Sequence, residues 1–303
     1  MNIIVCLNFL PDPNIIALDT ENGGRIHDED LIYIVHPSDL VAVEEAVRIK
    51  ERKRSGEVSL VAMSSPSDER LLRKCLALGA DNAVIINEPS YNKHDGHSTG
   101  LLLAACCRTM DFDLILCGHG SLDSQGGQTG YVIADLLNLP VVSRVTKIDV
   151  LPEKSGLQVE KRLERGYREQ LELPLPAILT LEENLNEPRY ASLPNTLSAL
   201  EQDVKRMSRQ DLILSPEEED LAKPKLELIQ IKTPKPRPKR IFTPDTSLSA
   251  EDRMWQIMSG GLDDKNKNKE LFEGSPEELS SKFMDYLKQL ELEPVKEKAS
   301  NSS

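Results

Sequence analysis

Aromatic residues make up only 4% of this 303-residue chain, and there is a single tryptophan. The interior must therefore be built from aliphatic side chains, and a hydrophobic content of 39% suits an ordinary globular protein. No CxxC pair joins the five cysteines, Cys6, Cys75, Cys106, Cys107 and Cys117. Cys117 and His119 stand two apart, but one such pair does not make a metal centre. Free buried thiols in a reducing compartment are expected, rather than a disulfide framework or a zinc site. Positive charge is in deficit: 37 Lys and Arg face 50 Asp and Glu, a net charge of −13. Such a chain repels phosphate backbones, which argues against general nucleic-acid binding. The longest apolar run, Leu101 to Cys107, falls far short of the roughly 20 residues a membrane helix needs, so no transmembrane segment is expected. The first residues lack a basic stretch and enter an apolar strand at once, so a signal peptide is not expected and a cytoplasmic location is.

Catalytic patterns are missing as well. There is no GxSxG elbow and no HExxH. His119 has no nucleophile at a recognisable spacing, and His27, His36, His94 and His97 lie in or beside polar loops. No catalytic residue is assigned.

What the chain does have is alternation of strand and helix patterns. Ile3–Leu7 is a continuous β-branched-rich run, as in a strand buried on both faces. Leu10-Pro11-Asp12-Pro13 breaks it, and a loop with Gly23-Gly24 follows. Leu31–Val35 reads as a second buried strand. Ser38 to Lys53 reads as a helix capped by Ser38 or Asp39, with Leu40, Val43, Ala46 and Val47 at helical spacing. Strands are then expected over 57–63, 83–86 and 113–117, with helices over 67–78, 100–110 and 129–137. This grammar predicts an α/β fold, a mostly parallel, doubly wound sheet with right-handed crossovers.

After Pro140 the texture changes. Residues 141–150, 158–164 and 170–173 read as an antiparallel excursion, and Ala177–Leu181 as another buried strand. Asn184–Pro194 reads as a loop, and 197–205 as a short helix. The tail holds an acidic stretch (216–220), a basic proline-rich run from Lys232 to Arg240, and helical patterns over 249–258 and 276–290. Alternating prolines favour an extended path, so the basic run reads as a linker. The residues from Glu293 on are polar and expected to be disordered. A nucleotide-binding domain over 1–205 and an extended C-terminal arm over 206–303 follow as the expected division.

The strongest local signal runs from Leu116 to Gly130: a strand end, the glycines Gly118, Gly120, Gly126 and Gly127, and then a helix start at Thr129. Glycines let the backbone approach a ligand and reach positive φ. Helix N-terminal amides suit a phosphate, and Thr129 adds a hydroxyl. In open α/β sheets, ligands bind beyond the carboxyl ends of the strands. The loop is not in GxGxxG register and lacks the lysine of a P-loop, so neither an NAD enzyme nor an ordinary NTPase follows.

Four segments, taken together, resemble a known family. Asp123 and Gln128-Thr129-Gly130 are similar to the nucleotide loop of electron transfer flavoprotein β subunits. Pro37 with Val43-Glu44-Glu45-Ala46-Val47 is similar to that family's Asn-Pro and Ala-Val-Glu-Glu-Ala. Arg73–Asp81 looks like its helix end and turn, and Asn186-Glu187-Pro188-Arg189-Tyr190-Ala191-Ser192-Leu193-Pro194-Asn195 looks like its signature. The matches cover about residues 1–205 in the family's order.

The resemblance implies a Rossmann-like fold of the adenine nucleotide alpha hydrolase-like type. It implies pairing with an α subunit that carries the redox-active FAD, and AMP held in this subunit as a structural ligand. AMP contacts would fall on Cys6, His36, Pro37, Ser38, Asp39, Ser64, Gly118, His119, Gly120, Ser121, Leu122, Asp123, Ser124, Gln125, Gly126, Gly127, Gln128 and Thr129. The stretch carrying Asn186, Glu187, Pro188, Arg189, Tyr190, Leu193 and Pro194 would dock on acyl-CoA dehydrogenase-type donors, with Leu193 as an apolar anchor. Electrons would pass on to a quinone oxidoreductase. Electron-bifurcating members hold a second FAD where others hold AMP. Leu10-Pro11-Asp12 and Pro37-Ser38-Asp39 are similar to those members, whereas Gln128-Thr129-Gly130 looks like the AMP type. Their Asp-Gly-Asp-Thr run is also missing here, so AMP is favoured and FAD is the alternative.

Three departures stand out. His36 replaces the Asn before Pro37, which bears on one base or ribose contact. Ser198-Ala199-Leu200-Glu201 follows where the family has lysines, and the tail from Lys232 is longer than in many members. An ATP-hydrolysing enzyme or a nucleotide-sensing protein of similar fold is the rival. The first would need a phosphate loop after the first strand, which Leu7–Pro11 does not supply, and the second does not account for Asn186–Asn195.

Overall fold

The computed structural model describes residues 1–15, 31–64, 68–88, 95–122, 125–151, 156–226, 244, 247–258 and 274–289. The chain divides into two compact units, Met1–Pro234 and Lys235–Ser303.

In the first unit the apolar runs become strands of one sheet. β1 (Ile3–Leu7), β4 (Val58–Ser64), β5 (Asn82–Asn87), β6 (Leu114–Gly118), β10 (Ala177–Leu181) and β11 (Lys205–Ser208) run parallel. β7 (Val141–Leu151) starts parallel to β10, then continues as a ribbon with β8 (Gly156–Arg162) and β9 (Arg168–Pro174), both pairings antiparallel. The order is β11-β5-β4-β1-β6-β10-β7-β8-β9.

Both faces of β1 are buried because helices cover both sides of the sheet. Ile3, Val5 and Leu7 face one core, with Ala42, Ala46 and Ile49 of α1 (Pro37–Lys53) and Leu72 and Leu76 of α2 (Glu69–Leu76). Ile4 and Cys6 face the other, with Leu102 and Cys106 of α3 (Gly96–Cys107) and Ile133 of α4 (Thr129–Leu137). Burying about ten such side chains contributes on the order of 1.5–3 kcal/mol each before entropy is subtracted.

Chain order reverses at β1. From it the chain crosses through α1 to β4 on one side, and later through α3 to β6 on the other. The crevice between the carboxyl ends of β1 and β6 is therefore a topological switch point, where such sheets seat ligands.

The structure differs from the sequence expectations at several places. Leu31–Val35 is not a buried strand of the main sheet. Only Tyr33–Val35 is β3, half-buried and paired antiparallel with β2 (Phe9–Pro11) in a separate two-stranded sheet. Leu10-Pro11 does not end extended structure, because an edge pair tolerates the missing proline N–H. The helix expected over 197–205 is α5 (Leu193–Glu201). Ser192 caps it, and Pro194 sits in its first turn, where no amide is needed. Lys205, expected to end that helix, instead starts the sheet's edge strand β11.

α6 (Pro216–Leu221) follows, capped by Ser215 and Glu218. The second unit contains α7 (Ala250–Met258) and α8 (Pro276–Gln289). The basic run Lys232–Arg240, the glycines 23–24 and 260–261, the residues from Glu293, and His27 and His94 lie outside the described residues. Among the described residues no helix is long and apolar enough to cross a membrane. The five cysteines are free and buried, and no group of His, Cys, Asp or Glu among the described residues is arranged to hold a metal.

Candidate functional site

A cavity of about 440 Å³ opens at the switch point. Its size lies in the lower part of the roughly 300–1,000 Å³ range of small-molecule pockets. Cys6, Leu7 and Asn8 from the end of β1 form one wall, and Cys117, Gly118, Gly120 and Ser121 after β6 form another. Gly126, Gly127, Gln128, Thr129 and Gly130 lead into α4, and Met63, Leu103, Tyr33 and Phe9 supply apolar lining.

Asp39 ties the two strand ends together. It sits in the first turn of α1, yet its carboxylate does not cap that helix. Oδ2 accepts from Asn8 N at 2.7 Å and Oδ1 accepts from Gly118 N at 2.8 Å. The cap is His36, whose Nδ1 accepts from Ser38 N at 3.3 Å, the role an Asn side chain performs at an N-cap. Burial pushes the Asp39 carboxyl up to about 7, against the two amide bonds that favour its anion. A Cβ on Gly118 would stand 2.4 Å from Asp39 Oδ1 and 2.8 Å from Ser38 Cβ, so only glycine fits.

The loop after β6 holds its shape through backbone glycines. Gly120 and Gly127 have φ of +78° and +58°. Asn8 Nδ2 donates to Ser121 Oγ at 3.3 Å, and Thr129 Oγ1 donates to Gly96 O at 3.5 Å. The Gln128 side chain does not cap α4, and Tyr131 N and Val132 N both donate to Gln128 O at 3.0 Å, so the amides of Thr129 and Gly130 are the ones at the open end of the helix.

Cys6, Asp39, Gly118, Gly120, Ser121, Gly126, Gly127, Gln128 and Thr129 thus converge on one cavity. His36, Pro37 and Ser38 lie behind it at the start of α1. Ser38 Oγ is buried without a hydrogen-bond partner among the described residues. Ser64 is buried and donates to Asp68 rather than lining the cavity. His119 turns away: its N donates to Leu181 O at 2.9 Å and its Nδ1 lies 3.3 Å from Thr180 Oγ1. Burial, with Arg144 nearby, lowers its pKa against the pull of Glu182. Leu122 and Gln125 are exposed on the loop, and Asp123 and Ser124 lie outside the described residues.

Sequence reasoning missed Asn8 and the start of α3. Asp95, Gly96 and Thr99 line the cavity, with Asp95 and Ser98 forming a reciprocal cap. The signal was present: Asp95 precedes Ser98 by the spacing of a capping box at the start of an apolar helix.

A second feature stands apart from the cavity. Arg189 forks onto α1, with Nε to Glu44 Oε2 at 2.9 Å, Nη1 to Glu51 Oε1 at 2.7 Å and Nη2 to Glu51 Oε2 at 2.9 Å. Asn186 Nδ2 donates to Val41 O at 3.1 Å, and Arg48 Nη2 to Glu187 O at 3.2 Å. At the far end of α5, Arg73 Nη1 gathers the carbonyls of Ala199, Leu200 and Gln202. Between these braces, Glu187, Pro188, Tyr190, Leu193 and Pro194 are exposed, Tyr190 at 99% and Leu193 at 72%.

A mostly parallel sheet covered by helices on both faces, with a glycine-lined crevice at its switch point, is a doubly wound α/β architecture. The electron transfer flavoprotein domain model matches residues 24–212. The beta subunit of electron transfer flavoprotein from Bacillus subtilis is 35% identical over 208 residues, covering 68% of this chain and 78% of that protein. Caffeyl-CoA reductase-Etf complex subunit CarD of Acetobacterium woodii is 35% identical over 218 residues, covering 72% and 82%. Protein FixA of Azotobacter vinelandii is 35% identical over 214 residues, covering 69% and 75%. The chain belongs to the electron transfer flavoprotein family, as a beta-type subunit.

Proposed function

We propose that this chain completes a heterodimer whose α subunit carries FAD, and that its own cavity holds AMP as a structural ligand. The observation that carries the reading is the cavity between β1 and β6, walled by Gly118 and Gly120 and closed by the start of α4, which Gln128 leaves without a side-chain cap. The residues suit a nucleotide. Glycine is required at Gly118, and Gly130 has no room for a Cβ beside Thr180. The amides of the first turn of α4 and the hydroxyl of Thr129 would receive phosphate, and Met63, Leu103 and Phe9 would face a base.

In this reading the chain catalyses nothing alone. The FAD of the α subunit supplies the redox chemistry. This chain buttresses that subunit and presents Leu193 to an acyl-CoA dehydrogenase-type donor, a quinone oxidoreductase being the acceptor, in the cytoplasm. The region over 206–303 serves as an arm on the α subunit. An exposed Leu193, held on a helix braced at both ends, is preorganised for a partner's pocket.

A second reading follows from the name of one relative, a subunit of a caffeyl-CoA reductase-Etf complex. In that reading the partner would be a CoA-ester reductase, and the cavity would hold the second FAD that the resemblance to electron-bifurcating members leaves as the alternative. Denaturing the purified complex and identifying the released nucleotides decides between them. One FAD with one AMP supports the first reading, two FAD the second, and no nucleotide overturns both.

A further inference from the structure

The charge lining of the cavity is unusual for a place meant to hold a phosphate. Two carboxylates face it, those of Asp39 and Asp95, and no Lys, Arg or His is among the described residues that line it. Backbone amides and hydroxyls are the donors. Asp95 is fully engaged. Its Oδ1 accepts from Ser98 N at 2.8 Å and its Oδ2 from Lys225 N at 3.0 Å, and these bonds outweigh burial and keep it below the usual carboxylate range. Asp39 is different. It is 5% exposed, accepts a single amide on each oxygen, and forms no ion pair among the described residues.

Resting on the nucleotide reading above, we propose that Asp39 sets the charge this cavity accepts, and that an anionic nucleotide binds together with one proton taken from solvent onto the Asp39 carboxyl.

The physical ground is the cost of two anions in one dry space. A ligand that fills the cavity removes its water and puts a phosphate in one cavity with a carboxylate, with no cation among the described lining residues to offset the two charges. Protonation removes that repulsion, and the neutral carboxyl can still accept an amide on its carbonyl oxygen. The fold already leans this way, since burial lifts Asp39 to about 7. The groups packed on Asp39 from other elements do not supply the missing charge. Cys6 of β1, Cys117 of β6 and Cys75 of α2 are thiols whose pKa values are all pushed up, Cys6 chiefly by its contact with Cys107, Cys117 by its contact with Cys6 and Cys75 by burial, so they stay neutral. Tyr33 and Asp95 face the cavity from β3 and the start of α3, and His36 on its own helix uses Nδ1 as an acceptor.

The sign follows from linkage. Ligand binding raises the carboxyl's proton affinity, so nucleotide affinity is level below about pH 7 and falls as pH rises above it, approaching ~tenfold per unit. The phosphate's own second ionisation, near pH 6, lies below this window.

The test uses full-length protein with any partner that accompanies it, stripped of small molecules. AMP is titrated calorimetrically in two buffers of different ionisation enthalpy, above about pH 7. Uptake approaching one proton per AMP, with an infrared difference band for a newly protonated carboxyl, is expected. Adenosine, which lacks the phosphate, should bring little uptake. Asp39→Asn should bind AMP without pH dependence. The carboxyl band in the unsubstituted protein decides should that variant not fold. AMP binding with no proton uptake, or uptake without a carboxyl band, overturns the inference and leaves the nucleotide reading standing. Failure of AMP to bind at any pH overturns both.

Discussion

Asp39 Oδ1 accepts a hydrogen bond from Gly118 N at 2.8 Å across 79 residues of chain, and the space between them admits no Cβ. The contact joins the start of α1 to the end of β6 and so fixes the width of the crevice. Gly118→Ala should force the methyl into the carboxylate, as overpacking does elsewhere, at about 1–3 kcal/mol. A thermal melt should show the loss, and the purified variant should hold less nucleotide than the parent. Unchanged stability and unchanged nucleotide content would remove Asp39–Gly118 from the account of this site.

The same carboxylate shapes the pH dependence of folding. Burial places Asp39 at about 7 in the fold, against about 3.9 in an unfolded chain. Between these values the folded state binds the extra proton, so the contribution of Asp39 is full below the unfolded value and is lost as pH rises to about 7. Glu44 and Glu51 work in the opposite sense. Burial alone would raise Glu44, but the Arg189 fork and Arg48 outweigh it, and Arg189 lowers Glu51 outright. Their contribution is present above the ordinary carboxylate range and is lost in acid. Denaturant midpoints measured across pH should therefore pass through a maximum on the acid side of neutrality. Asp39→Asn should flatten the neutral limb and leave the acid limb, and a neutral limb that survives that substitution would assign it to another group.

How much of this was legible in the sequence depends on distance along the chain. The loop from Leu116 to Gly130 could be read because its glycines, strand and helix start are contiguous. The partner of Gly118 could not, since nothing in Pro37-Ser38-Asp39 says that a first-turn acid will leave its own helix to bond another loop. Leu31–Val35 was misplaced because a short apolar run has no mark distinguishing a central strand from an edge pair. Lys205–Ser208 was missed because an edge strand carries charge where a central strand carries Val and Ile. Arg189 was legible only as part of a family-like string. Its role rests on Glu44 and Glu51, about 140 residues earlier and two turns apart on one face of α1.

That clamp gives a prediction of its own. Glu44 is 1% exposed, and Arg189 is its partner from outside α1. Arg189→Ala would leave a buried carboxylate held by Arg48 alone. Breaking a buried pair costs about 3–5 kcal/mol, and the part-exposed Arg189 side chain places the expected loss nearer 1–3 kcal/mol. Adding Glu44→Gln should recover part of it, because the stranded charge is gone. Denaturation of the two single variants and the double variant measures the coupling, and strict additivity would show that the fork does not hold the segment.

Leu193 separates a docking residue from a packing one. At 72% exposure it contributes little to the fold, so Leu193→Ala should change stability by no more than about 0.5 kcal/mol. If it anchors a partner, truncation should cost ~2 kcal/mol of association, roughly thirtyfold in affinity for the donor. The measurement is the rate at which the flavin of the complex is reduced by an acyl-CoA dehydrogenase-type donor, taken over a range of donor concentrations. The variant should reach a similar limiting rate only at higher donor concentration, since the change lies in docking and not in the flavin. Tyr190, 99% exposed beside it, should behave in the same sense. A variant that loses stability but keeps its response to the donor would return Leu193 to the role of an ordinary helix residue.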